Sequence, residues 1–250
     1  SHEFSIHFLH FIDIHRKVGM FEPNTRSSGA SGPSLVVEVL KIGLIHPDFL
    51  GEMDFPKLLQ NQQQIDARVT ELASELDDYL NKGDVVVGVL KGCLPFLADL
   101  VRKLSQEIET DFLALTSFQE NTGRVRLTRD LGIDVSGRNV LLVEDVVDTG
   151  FRLDFLRRHL ETHQPAEVRV CTLFDRSDRR VLPVEVEYSG FVLQEGFIVG
   201  YGIDHLGMFR NLPSVVSANQ ELLDKEFADG GSELSDEIVK IARSKEIVEC

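Results

Sequence analysis

Cysteine is scarce in this chain of 250 residues: Cys93, Cys171 and Cys250 are odd in number and far apart. Neither a disulfide framework nor a Cys-x-x-Cys zinc pattern is present, and a reducing, cytoplasmic setting is expected. No window approaches the roughly 18 apolar residues that a membrane span requires. A signal peptide is not expected either, because histidines and Asp13 break the N-terminal apolar run and no basic segment precedes it. Basic residues are outnumbered, 26 Lys and Arg against 41 Asp and Glu, giving a net charge of −15. That balance argues against nucleic-acid binding, which rests on basic surface. It leaves an anionic small molecule open, because a few cations and backbone dipoles decide that locally. Internal repeats are absent, and so is the Gly-x-x-x-x-Gly-Lys-Ser/Thr loop of nucleotide-binding strands.

What remains is a chain with 42% apolar residues, enough to bury the core of one large domain with appendages. Residues 1–55 read as an N-terminal extension, in part a foreign leader, since Met20 is a plausible native start and Arg26–Pro33 is linker-like. Residues 56–218 form the main domain, and 219–250 an acidic, loosely helical C-terminal tail. Ile65, Val69, Leu72, Leu76 and Leu80 recur at helical spacing and predict a helix over Gln62–Leu80. Further helices are expected at Leu94–Gln106 and Phe151–His163. Apolar runs at Val85–Leu90, Phe112–Phe118, Asn139–Val143, Glu167–Phe174, Val186–Val192 and Phe197–Tyr201 read as strands, with Arg124–Leu127 as a returning strand. Strands alternating with helices indicate an α/β fold around a mainly parallel sheet.

The stretch Val140–Gly150 (VLLVEDVVDTG) carries the most chemistry. A buried strand runs into Glu144 and Asp145, then Val146, Val147, Asp148, Thr149 and Gly150, and a helix follows. Carboxylates at the carboxyl end of a parallel strand lie where open α/β sheets bind ligands. The helix start behind them offers unpaired N–H groups and a positive dipole end, which suit a phosphate. Carboxylates for hydroxyls or a metal, directly before a phosphate cradle, fit a sugar phosphate. Lys91 and Gly92 stand at the end of another buried strand, where a lysine and a glycine turn suit a second phosphate.

Val140–Gly150 resembles the PRPP-binding motif of the type I phosphoribosyltransferases, where PRPP is 5-phosphoribosyl 1-diphosphate. Leu90-Lys91-Gly92 matches the pyrophosphate loop of the hypoxanthine-guanine branch. Gly196–Asp204 and Phe209–Pro213 resemble its purine-binding strand and hood. The likeness runs from about Gln62 to Val216.

The resemblance implies a type I fold, mainly parallel twisted sheet flanked by helices with a small hood. It also implies transfer of the 5-phosphoribosyl group from PRPP to hypoxanthine or guanine with Mg2+, in a cytoplasmic homodimer or homotetramer. Glu144 and Asp145 would hold the ribose hydroxyls, and with Asp204 a metal. Asp148 would exchange a proton with the purine. Backbone groups of Val147, Asp148, Thr149, Gly150, Phe151 and Arg152 would bind the 5′-phosphate, and Lys91, Gly92 and Arg210 the pyrophosphate. Phe197 would stack on the base, Ile198 would read its edge through the backbone, and Arg176 would donate to its 6-oxo group. Ser117 and Phe118 would open a loop that closes over the site. Three positions depart from the family: Arg176 replaces a lysine, Phe118 a tyrosine, and Arg152 a threonine or serine. A noncatalytic PRPP sensor, or a transferase for another base such as xanthine, is the alternative reading.

Overall fold

The protein is described from a computed structural model that covers residues 55–117, 125–193 and 196–244. The expected extension up to residue 54, Phe118 and the Gln119–Gly123 loop lie outside the described residues, as does the side chain of Ser117. The elements, in chain order, are β1 (Lys57–Gln60), α1 (Gln62–Asp77), β2 (Val85–Leu90), α2 (Leu94–Val101), β3 (Glu109–Ser117), β4 (Val125–Arg129) and β5 (Asn139–Val147). Then follow α3 (Phe151–Glu161), β6 (Glu167–Asp175), β7 (Tyr188–Val192), β8 (Phe197–Val199), β9 (Val215–Ala218), α4 (Gln220–Asp229) and α5 (Glu233–Ala242).

Six strands form the main sheet in the order β4-β3-β2-β5-β6-β7. All neighbouring pairs are parallel except β3 with β4, so the expected mainly parallel sheet is present. Alternation along the strands divides the core. Val86, Leu141, Val143, Cys171 and Leu173 face α1 and α2. Val85, Val87, Val140, Leu142 and Val170 face Leu153, Leu156 and Leu160 of α3. Residues two apart on a strand share a face, so one apolar run serves both layers. The start of α1 is set by a capping box: Asn61 Oδ1 accepts from the Gln64 N–H at 2.8 Å and Gln64 Oε1 from the Asn61 N–H at 2.9 Å.

A second sheet, β1-β9-β8, is antiparallel and forms the hood. Ile198 and Val215 pack toward the α1–α2 core. Val199 and Val216 join Phe209, Leu212, Leu223, Ile238 and Ala242 in a separate cluster. The segment expected to be loosely helical therefore forms two short helices that cover one hood face. Two other boundaries differ. The helix expected over Leu94–Gln106 ends at Val101, where the Ser105 N–H bonds instead to Asp77 Oδ1 at 3.0 Å. The strand expected to stop at Val143 continues to Val147, because β6 stays in register with it as far as Val147 opposite Asp175.

Candidate active site

The chain passes from β2 outward to β3, then returns to the other side of β2 as β5. Such a reversal opens a crevice at the carboxyl ends of the two central strands. Lys91 and Gly92 follow β2 into it, and Asp145 comes from β5. The contact is close: a Cβ on Gly92 would lie 1.7 Å from Asp145 Oδ2. A Cβ on Gly202, whose φ is +99°, would lie 2.0 Å from the Gly92 carbonyl oxygen. Three stretches far apart in sequence thus meet through glycine. The Leu90–Lys91 peptide is cis. Lys91 is exposed and bonds to no side chain among the described residues.

Because β5 runs on, Glu144 is inside the strand and only 1% exposed. This corrects the expectation that both acids stand at the sheet edge. Its partner among the described residues is Arg152, whose Nη2 donates to Oε2 at 3.0 Å, with Asp145 Oδ1 at 3.5 Å and the Val146 carbonyl at 3.2 Å. Burial pushes the Glu144 carboxyl up to about 8, and the pull of Arg152 in the other direction does not cancel it. Arg152 itself is half-exposed and held charged chiefly by Glu144. Cys93 is fully buried; burial, with both acids adding, pushes its thiol up to about 12, so it acts as inert packing.

Helix α3 starts at Gly150, in the left-handed region at φ +90°, with no side chain capping its first turn. A Cβ there would meet Arg180, Leu182 and Val184 within 2.9 Å. The Asp148–Gly150 turn is braced from outside. Arg180 Nε donates to the Asp148 carbonyl at 2.9 Å, and the Val181 and Leu182 N–H groups donate to the Thr149 carbonyl at 2.9 and 3.0 Å. Arg180 is anchored in turn on Asp175. Asp148 Oδ1 is out of water with no hydrogen-bond partner; Arg179 Nε lies 3.5 Å away. Arg176 adjoins it, its N–H bonded to the Val147 carbonyl at 2.9 Å. The Arg176 side chain is buried, one nitrogen donates to the Gly196 carbonyl, and Nε has no partner.

The sequence model of the phosphoribosyl transferase domain matches residues 57–205, more than half of the chain. The chain belongs to the phosphoribosyltransferase family. A hypoxanthine-guanine phosphoribosyltransferase of Streptococcus agalactiae is 35% identical over 178 residues, 70% of this chain and 99% of that protein. A hypoxanthine-guanine phosphoribosyltransferase of Bacillus anthracis has a similar solved structure, with a TM-score of 0.63 and 38% identity, covering 65% of this chain and 98% of that one. The hypoxanthine phosphoribosyl transferase of Trypanosoma cruzi gives a TM-score of 0.65 at 30% identity, covering 69% and 95%. The parallel sheet with its antiparallel hood is the type I phosphoribosyltransferase fold.

The hood of this phosphoribosyltransferase brings Phe197, Ile198, Asp204 and Arg210 together through β8 and its following loop. Phe197 is partly buried and meets His205 edge-on at 5.4 Å; Ile198 is buried. Arg210 Nη2 pairs with Asp204 Oδ1 at 2.5 Å and Nη1 donates to the Gly202 carbonyl at 2.6 Å. Tyr201, at φ +47°, donates its hydroxyl to Asp99 Oδ2 at 2.5 Å and so ties the hood to α2. Reasoning on the sequence missed Tyr201, His205, Arg179 and Arg180. The charged run Asp178-Arg179-Arg180 after β6 was the one available signal.

One expected grouping does not form. Glu144, Asp145 and Asp204 are not a three-carboxylate cluster: the first two face Arg152 and the third faces Arg210. Among the described residues, only Asp130, His159 and His163 bring three ligand atoms within 4.8 Å of one another. No described helix is long and apolar enough to cross a membrane.

Proposed function

We propose that this phosphoribosyltransferase moves the 5-phosphoribosyl group from PRPP to N9 of hypoxanthine or guanine, yielding IMP or GMP and pyrophosphate. One observation carries the choice of base. On adjoining segments, Arg176 Nε is a buried donor without a partner, and Asp148 Oδ1 is an acceptor without a hydrogen bond, 3.5 Å from Arg179 Nε. Buried polar groups left unpaired cost about 1–3 kcal/mol, so a ligand that meets both is favoured. A 6-oxopurine protonated at N7 presents an N7–H donor and a 6-oxo acceptor side by side, one for each of these groups.

The remaining roles follow from position. Gly92 lets the backbone approach the pyrophosphate, and Lys91 and Arg210 supply positive charge as that leaving group takes up negative charge. Uncapped N–H groups from Gly150 to Leu153 hold the 5′-phosphate. Asp145, with Glu144 behind it, accepts from the ribose hydroxyls once Arg152 turns toward the phosphate. Asp148 exchanges a proton at N7 as the N9 bond forms. Phe197 stacks on the base and the Ile198 backbone reads its edge. The loop opened by Ser117 and Phe118 closes over the site and excludes water. Asp145 and Asp204 are hard oxygen donors at the crevice and fit Mg2+, which binds through one or two carboxylates plus substrate phosphates rather than a protein cage. When bound, the ion neutralises charge on the pyrophosphate. The active form is a homodimer or homotetramer in the cytoplasm.

The test supplies PRPP and Mg2+ with hypoxanthine, guanine, xanthine or adenine, and follows nucleotide and pyrophosphate. Hypoxanthine and guanine should react far better than adenine, whose 6-amino group sets a donor against the Arg176 donor. A preference for adenine would remove the Arg176 contact. PRPP binding without turnover on any base would identify a sensor on the same fold.

A further inference from the structure

At the far end of α3 from the proposed phosphate site, His159 lies in the last turn and His163 in the turn just past the C-cap Thr162. The residue after β4, Asp130, comes up against them from the β3–β4 hairpin. His159 Nε2 lies 2.7 Å from Asp130 Oδ1, and His163 Nε2 lies 4.0 Å from the same oxygen. The two rings meet edge-on at 5.1 Å. The Phe155 ring lies nearly parallel to that of His159, 8° apart, with the centroids at 6.4 Å. Asp130 Oδ1 also accepts from the Leu131 N–H at 2.8 Å, which steadies the carboxylate.

An ordinary ion pair needs only Asp130 and His159. Here a second imidazole nitrogen lies 4.0 Å from the same oxygen. Tetrahedral coordination with bonds of about 2.0–2.1 Å puts neighbouring ligand atoms about 3.3 Å apart. The observed 2.7 and 4.0 Å bracket that spacing. Solvent reaches all three groups, so a hydrated ion can enter without unfolding. The C-terminal end of a helix also carries the negative end of its dipole, which favours a cation.

We propose that Asp130, His159 and His163 bind one divalent transition-metal ion of the zinc class. Two imidazoles and a carboxylate suit zinc, and the mixed set discriminates against magnesium, which prefers oxygen ligands. The ion replaces the Asp130–His159 hydrogen bond and pins the β4 end of the hairpin to α3. Binding requires neutral imidazoles.

Equilibrium dialysis of the full chain against Zn2+ at pH 7.5, with excess Mg2+ present, tests this. The wild type should hold one Zn2+ more per chain than His159→Gln/His163→Gln. His2, His7, His10 and His15 are retained in both proteins and contribute equally. Asp130→Asn should weaken that site at least tenfold, as should lowering the pH to 5.5. Co2+ should give visible absorption bands in the wild type that the double variant lacks. Metal-free melting curves check that each variant folds. Equal Zn2+ stoichiometry in wild type and double variant would overturn the proposal.

Discussion

Asp148 keeps one carboxylate oxygen out of water without a hydrogen bond, with Arg179 Nε 3.5 Å away. If that oxygen handles the N7 proton, Asp148→Asn should lower kcat about 10²-fold while PRPP binding stays nearly intact. Turnover within a few-fold of wild type would end the assignment. Glu144 makes a second prediction. Its folded pKa, about 8, lies above the ordinary carboxyl value of 4.5, because burial outweighs Arg152, with Asp145 adding in the same direction. A raised pKa means that the folded state holds the proton more tightly. The stability this contributes is complete below about pH 4.5 and is lost as pH rises through about 8. Glu144→Gln cannot ionise, so its melting temperature relative to wild type should climb across that window; a pH-independent difference would contradict it. The residues of the candidate site were legible where chemistry is contiguous, as in Glu144–Gly150 and Leu90–Gly92. They were not legible where partners are remote: Tyr201 bonds to Asp99, and Arg180 to the Asp148 carbonyl, across a fold that no local pattern encodes. The burial of Glu144 was likewise hidden, since it follows from how far β6 stays in register with β5.

The long helix α1 and the strands β2, β5 and β6 were legible because their apolar period runs over several turns or a full strand. β1 and β9 were not, being four residues each and held by pairing, β1 with β9 and β9 with β8. Charge hid α4 and α5: Glu and Asp dominate their surfaces, while the buried positions reduce to Leu223, Ile238 and Ala242. Those few positions matter. Ile238 is fully buried against Val199, Val216 and Phe209 in the hood cluster. Ile238→Ala should cost about 2–5 kcal/mol by urea denaturation. A loss under about 0.5 kcal/mol, ordinary for surface substitutions, would mean that α5 does not support the hood.

Across the whole molecule, a net charge of −15 should repel PRPP before any contact forms. Long-range repulsion is screened by salt, and the Debye length shrinks from about 30 Å at 0.01 M to about 8 Å at 0.15 M. kcat/KM for PRPP, measured at fixed free Mg2+, should therefore rise several-fold over that range. A steady fall from the lowest salt would mean that the local field of Lys91 and Arg210 governs the encounter.

The two sheets also divide the proposed substrate contacts. Lys91, Asp145 and Asp148 belong to the main sheet and its loops, whereas Phe197, Asp204 and Arg210 belong to the hood. Between them run the Gly92–Gly202 approach, the Tyr201–Asp99 bond and the Arg176–Gly196 bond. A nucleotide that spans both sheets acts as a further tie, and its dissociation then has a counterpart in amide exchange. β8, β9, α4 and α5 share one apolar cluster and should open together, on a clock of their own, ahead of the six-stranded sheet. Product release and exchange at the β8 and β9 amides become two measures of the same separation.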